Sequence, residues 1–207
     1  MTGVFIDGSA GTTGLRIADR LAARQDLKLI RLPEELRKDN DARKDAIASA
    51  DIVFLCLPDG AAIEAVALAE GSGAKIIDTS TAHRVNPAWV YGFPELTGQR
   101  EKINNSCRIA NPGCHASGFV ALVAPLVEQG ILSPDAALSS FSLTGYSGGG
   151  KKMIADYEDP NRSALLKGPR QYALTQSHKH LKEMVKLCGL NQAPVFCPIV
   201  GDFYSGM

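Results

Sequence analysis

Residues 4–24 read VFIDGSAGTTGLRIADRLAAR: a short apolar run ending in Asp7, a glycine-rich turn over residues 8–14, then Leu15, Ile17, Ala18, Leu21 and Ala22 at helical spacing. Strand, glycine turn and helix in that order form the cradle a pyrophosphate needs, because glycine lets the anion approach the backbone and the first-turn amides point at it. Glycines also serve plain tight turns, so the order of elements carries the reading. Gly8, Ser9, Gly11, Thr12, Thr13 and Gly14 are the expected contacts. Outward from this unit the alternation continues. Residues 27–32 suit a second strand, 39–49 lean to helix, 51–57 (DIVFLCL) read as a strand buried on both faces, 61–70 suit a helix, and 75–77 suit another strand. The pattern predicts an α/β fold, a Rossmann-like doubly wound parallel sheet.

Where an NAD site offers an acidic residue to the ribose 2′-hydroxyl, this chain offers Arg31, with Arg37 and Lys38 shortly after. A guanidinium suits a 2′-phosphate, so NADP(H) is expected over NAD, solvated loop charges being the alternative.

The 207 residues suffice to bury a core without metal or disulfide staples. Lys plus Arg and Asp plus Glu number 22 each, so no global field draws the chain to nucleic acid or an anionic membrane. Five cysteines, odd in number and without CxxC spacing, argue against a disulfide framework or a metal site and for a reducing compartment. With no signal-like segment and no apolar stretch of spanning length, a cytoplasmic location is expected.

Residues 111–119 (NPGCHASGF) deliver Cys114 from a turn to the expected start of a helix, where backbone donors and the macrodipole favour a thiolate and His115 adds positive potential. The competing reading is a small buried core thiol. Residues 78–84 (DTSTAHR) form a polar cluster at a strand's carboxyl end, with Arg84 able to hold an anion by a forked pair of bonds and His83 structural. Residues 87–100 read as loop. After Cys114 the texture changes to an apolar helix over 116–128 and a half-buried strand over 136–144, so residues 1–113 are expected to bind the dinucleotide and 114–207 to form a mixed α+β catalytic domain. Residues 145–152 (GYSGGGKK) read equally as an anion cradle around Ser147, Gly148 and Gly149 or as a flexible loop. In QSHKHLKE, residues 176–183, Glu183 lies one helical turn from His180 and could orient it, while His178 is freer to face a pocket. The strand over 194–200 has no evident partner. It predicts a second domain that is unfinished at Met207 and a homo-oligomer.

Taken in order, GSAGTTG, DTSTAHR, YGFPEL, NPGCHASGF, TGYSGGGKK and HKHLKE resemble the N-acetyl-gamma-glutamyl-phosphate reductases, in the shorter of their two forms, within the acyl-phosphate-dependent semialdehyde dehydrogenases. The resemblance implies a glyceraldehyde-3-phosphate dehydrogenase-like pair of domains. It also implies NADPH-dependent reduction of N-acetyl-gamma-glutamyl phosphate to N-acetylglutamate 5-semialdehyde and phosphate, a step of arginine biosynthesis. On it, Cys114 forms a thioester, His178 is the acid or base with His180 as runner-up, and the Cys114 or His115 amide stabilises the oxyanion. Arg31 meets the adenosine phosphate, and Arg84, His180, Ser147, Gly148 and Gly149 contact substrate or phosphate. Members of the family continue past the equivalent of Met207. Two alternatives stay open: a semialdehyde dehydrogenase acting on aspartyl phosphate, and a non-catalytic NADP-binding protein.

Overall fold

The computed structural model describes residues 1–9 and 12–206, over residues 12–15 as backbone only. Contacts divide it into two units, Met1–Pro112 and Gly113–Met207.

In the first unit β1 (Thr2–Asp7), α1 (Thr12–Ala22), β2 (Leu27–Ile30), α2 (Asn40–Ala48), β3 (Ile52–Leu55), α3 (Asp59–Leu68) and β4 (Lys75–Asp78) alternate along the chain, followed by β5 (Val90–Tyr91), α4 (Gln99–Asn105) and β6 (Arg108–Ala110). The strands form one sheet in the order β2-β1-β3-β4-β6-β5, every pair parallel. Short helical returns of one hand impose that order, and it reverses beside β1, which opens a crevice at the strand ends next to Gly8. Asp39 starts α2 by accepting a hydrogen bond from the Ala42 amide at 2.8 Å. The core gathers Phe5, Ile47, Val53, Leu55, Ala65 and Ile76, each large aliphatic side chain contributing about 1.5–3 kcal/mol on burial.

Two expectations change here. The strand in DIVFLCL is buried on alternate residues rather than on both faces: Val53 and Leu55 are sealed, whereas Ile52 and Phe54 are only partly covered. Residues 87–100 are not all loop, because Val90 and Tyr91 pair with Ile109 and Ala110 as an edge strand too short to show a pattern.

The second unit begins with α5 (Cys114–Glu128) and continues through β7 (Ser139–Gly145), a 3-10 turn (Tyr146–Gly149), α6 (Gly150–Glu158), β8 (Arg170–Gln171), α7 (His180–Cys188) and β9 (Val195–Gly201). Its sheet has the order β7-β9-β8, so the strand expected to lack a partner is the central one, parallel to β7 and antiparallel to β8. Sequence pattern missed this because β8 has two residues and β7 pairs across a long connection. On one face Phe196, Pro198 and Val200 are buried; on the other Phe141 and Leu143 are 74% and 64% exposed.

The glycine run lies against residues 203–206. A Cβ on Gly145 would lie 2.4 Å from the Phe203 carbonyl oxygen and one on Gly148 2.3 Å from that of Gly206. Ser147 donates its amide to the Tyr204 carbonyl at 3.0 Å and accepts from the Gly206 amide on Oγ at 2.9 Å. These glycines let residues 203–206 lie against the turn, and Gly150, at φ 75°, opens α6.

Candidate active site

At the carboxyl end of β1 a cleft of about 720 Å³ is lined by Gly8 and Ser9 from the turn, Ala18 and Asp19 from α1, and Arg31, Glu34, Glu35, Arg37 and Lys38 beyond β2. Gly8 has φ +84°, and a Cβ there would sit 2.3 Å from the Cys56 carbonyl oxygen, so the turn closes only over glycine. Gly11 lies outside the described residues; Thr12, Thr13 and Gly14 form the first turn of α1. Beneath the turn, Arg43 donates to one oxygen of Asp7 from Nε at 3.0 Å and Nη2 at 2.8 Å, both residues being buried. That pair ties α2 to the end of β1, and nothing in the spacing announces it. The fit to a 2′-phosphorylated dinucleotide is good. The glycine turn would take the pyrophosphate side, Arg31 and Lys38 are exposed at the cleft, and β2 itself (LKLI) carries no carboxylate, although Arg37 is engaged by Glu34.

In the second unit Cys114 is the first residue of α5, and its thiol is exposed. The first intrahelical bond runs from the Ser117 amide to the Gly113 carbonyl at 2.8 Å, so by helix geometry the amides of Cys114, His115 and Ala116 have no acceptor within the helix. The Gly113 amide is held from below by Glu183 Oε2 at 2.8 Å, a carboxylate only 1% exposed on α7. Its other oxygen lies 4.0 Å from His180 Nε2. One buried carboxylate thereby links the residue before the thiol to an imidazole.

His115 does not play its expected part. Its ring is buried between Ser142 Oγ, 2.5 Å from Nδ1, and the Tyr172 hydroxyl, 2.7 Å from Nε2. Burial, helped by His178, lowers its pKa, so it sits beside the thiol as a neutral ring and supplies no positive potential. Tyr172 went unnoticed in the sequence. Its phenol is pushed up to about 12 by burial and by the Cys114 charge, which keeps it a hydrogen-bond donor. Only folding could reveal it, because its partner His115 is remote in the chain. Among the other cysteines, burial pushes the Cys56 and Cys188 thiols up to about 11, which leaves them protonated and unreactive.

His178 is half-buried just ahead of α7, and its Nδ1 accepts from the His180 amide at 3.2 Å, which places the neutral ring's proton on Nε2. His180 is buried at the helix start. Ring centroids separate His178 from His180 by 4.5 Å and His115 from His180 by 5.7 Å, and Phe196 lies 5.2 Å from His178. Cys114, His178 and His180 therefore belong to one cluster with His115, Tyr172 and Glu183.

Known proteins resemble the chain over its full extent. Residues 4–106 match the family described as semialdehyde dehydrogenase, NAD binding domain, and residues 114–207 the one described as semialdehyde dehydrogenase, dimerisation domain. An N-acetyl-gamma-glutamyl-phosphate reductase of Brucella suis is 50% identical over 99% of this chain and 67% of its own length, and that of Brucella ovis is 49% identical over the same shares. The chain belongs to the N-acetyl-gamma-glutamyl-phosphate reductase family. The fold is shared more widely than that family. A probable aspartate-semialdehyde dehydrogenase of Pseudomonas aeruginosa superposes with a TM-score of 0.69 at 13% identity, covering 98% of this chain and 71% of that one. The enzyme of Candida albicans solved with NADP gives 0.64 at 14%, covering 97% and 68%.

The remaining contacts expected of an N-acetyl-gamma-glutamyl-phosphate reductase have local partners. Arg84 donates from Nη2 to the Thr79 carbonyl at 3.0 Å. Its loop is framed by buried Asp78, which accepts from Ser80 and lies 2.7 Å from His83 Nδ1, while the His83 ring stacks on Trp89 at 4.1 Å. Ser147 and Gly148 meet residues 204–206, and Gly149 packs against Met153. Among the described residues no group of His, Cys, Asp or Glu is arranged to hold a metal ion, and no helix is long and apolar enough to cross a membrane.

Proposed function

We propose that the protein reduces N-acetyl-gamma-glutamyl phosphate to N-acetylglutamate 5-semialdehyde and phosphate with NADPH, the activity named for its relatives and a step of arginine biosynthesis. The observation that carries the proposal is Cys114: an exposed thiol on the first turn of α5, with a buried carboxylate fixing the preceding residue and two imidazoles in the same cluster.

Cys114 gives up its proton, and Sγ bonds to the acyl carbon while the carbon–oxygen bond to phosphate breaks, leaving a thioester and free phosphate. Bound NADPH supplies the hydride, which a thioester accepts far more readily than a carboxylate would. The amides of Cys114, His115 and Ala116 are the donors for the developing oxyanion. His178, with its proton on Nε2, donates a hydrogen bond to the hemithioacetal oxyanion, which collapses to the aldehyde as the carbonyl re-forms and the thiolate departs. The Glu183 contact favours His180 for the thiol proton, because a buried carboxylate stabilises an imidazolium. Gly8, Ser9 and the first turn of α1 hold the pyrophosphate, Arg31 holds the 2′-phosphate, and Arg84 is the contact for a substrate anion.

Offering acetylglutamyl and aspartyl phosphates in parallel tests the substrate. A kcat/KM at least about tenfold higher is expected for the acetylglutamyl compound, since a site built for the acetamido group discriminates by that order. Preference for the aspartyl compound would overturn the assignment. For the cofactor, Arg31→Ala is expected to weaken NADPH by about 10–100-fold and NADH by less than about threefold, read by fluorescence titration. Equal losses would remove Arg31 from the 2′-phosphate.

A further inference from the structure

Between β8 and α7 two non-glycine residues occupy the left-handed region, Ala173 at φ 54° and Gln176 at φ 55°. Such backbone persists where its surroundings over-determine it. β8 pairs Arg170 with Val200 and Gln171 with Ile199 on the edge of β9, and the Tyr172 amide extends the ladder by donating to the Pro198 carbonyl at 3.1 Å. Pro198 has no N–H to return, so the main-chain ladder stops there and the chain turns away. At Phe196 the side chain of Gln176 takes the vacated position: Nε2 donates to the Phe196 carbonyl at 2.8 Å, and the Phe196 amide donates to Oε1 at 2.7 Å. A carboxamide carries the same donor and acceptor as a peptide group, and the two bonds agree on one orientation of it. Phe196 is fully buried, and its ring meets those of His115 at 5.5 Å and His178 at 5.2 Å.

We propose that Gln176 is a positioning residue for the reduction: its carboxamide stands in for a missing strand partner and holds the loop bearing Tyr172 and His178 against β9. The proposal rests on the reading of His178 as hydrogen-bond donor to the oxyanion. Sequence pattern hides it because an exposed glutamine before a histidine motif looks like any solvated side chain.

Gln176→Glu and Gln176→Gly test it in the full chain. A neutral carboxyl retains one donor and one acceptor, whereas a carboxylate presents only acceptors and repels the Phe196 carbonyl. At pH 8, kcat of Gln176→Glu is expected to fall about tenfold with KM for NADPH unchanged, and to return to within about twofold of the unsubstituted protein as pH drops toward about 4. Hydrogen exchange at the Phe196 amide is expected to quicken and recover over the same interval. His115 and His178, whose rings meet Phe196, are present in both proteins, so the profile is read as a ratio to the unsubstituted protein. Gln176→Gly suits φ 55° and keeps the fold, and it is expected to lose kcat about equally at every pH. A pH-independent ratio near one overturns the proposal, as does faster Phe196 exchange with undiminished kcat. Full turnover in His178→Asn would instead sink that reading of His178, and the Phe196 exchange result would stand apart from it.

Discussion

Cys114→Ser is expected to lower kcat by roughly 10⁴-fold or more, the scale on which nucleophile removal acts in covalent catalysis, while NADPH binding stays within about twofold. A serine hydroxyl is not ionised near neutral pH, and an ester formed on it accepts hydride less readily than a thioester. The thiol lies at the first position of α5 in the Gly113–Met207 unit, while the glycine turn and Arg31 lie in the Met1–Pro112 unit, so cofactor affinity has no reason to change. The pre-steady-state release of phosphate should vanish together with aldehyde formation. Retained turnover would remove the thioester scheme altogether.

His178→Asn is expected to lower kcat by about 10²–10³-fold, the usual worth of a positioned hydrogen-bond donor to an oxyanion. His180→Asn separates the two imidazoles. If His180 with Glu183 takes the thiol proton, alkylation of Cys114 by iodoacetamide should slow about tenfold in His180→Asn and stay within about twofold in His178→Asn. The opposite pattern would exchange the two roles. Full turnover in both variants would leave neither with a part in the chemistry.

The glycine turn after β1 and the alternating elements up to β4 were legible because their signals are local: an apolar run, a glycine where φ is +84°, an apolar stripe at helical spacing. Cys114 was legible for the same reason, since Asn-Pro-Gly followed by small apolar residues marks a helix start. The surroundings of that thiol were not. His115 carries no charge there because Ser142, Tyr172 and Phe196, all remote in the chain, close around it. The run around Gly148 reads equally as an anion cradle or a flexible loop by composition, and its packing against residues 203–206 is a contact no window of sequence contains.

Sequence by itself determined the class of the fold and the place of Cys114 at the start of a helix, because hydrophobic period and turn chemistry are properties of short stretches. Tertiary structure alone decided which strand is central in the second sheet, that Glu183 also holds the Gly113 amide, and what holds the loop bearing His178. Those depend on hydrogen bonds and burial between residues brought together only when the chain folds, and so on free energies that no local pattern records.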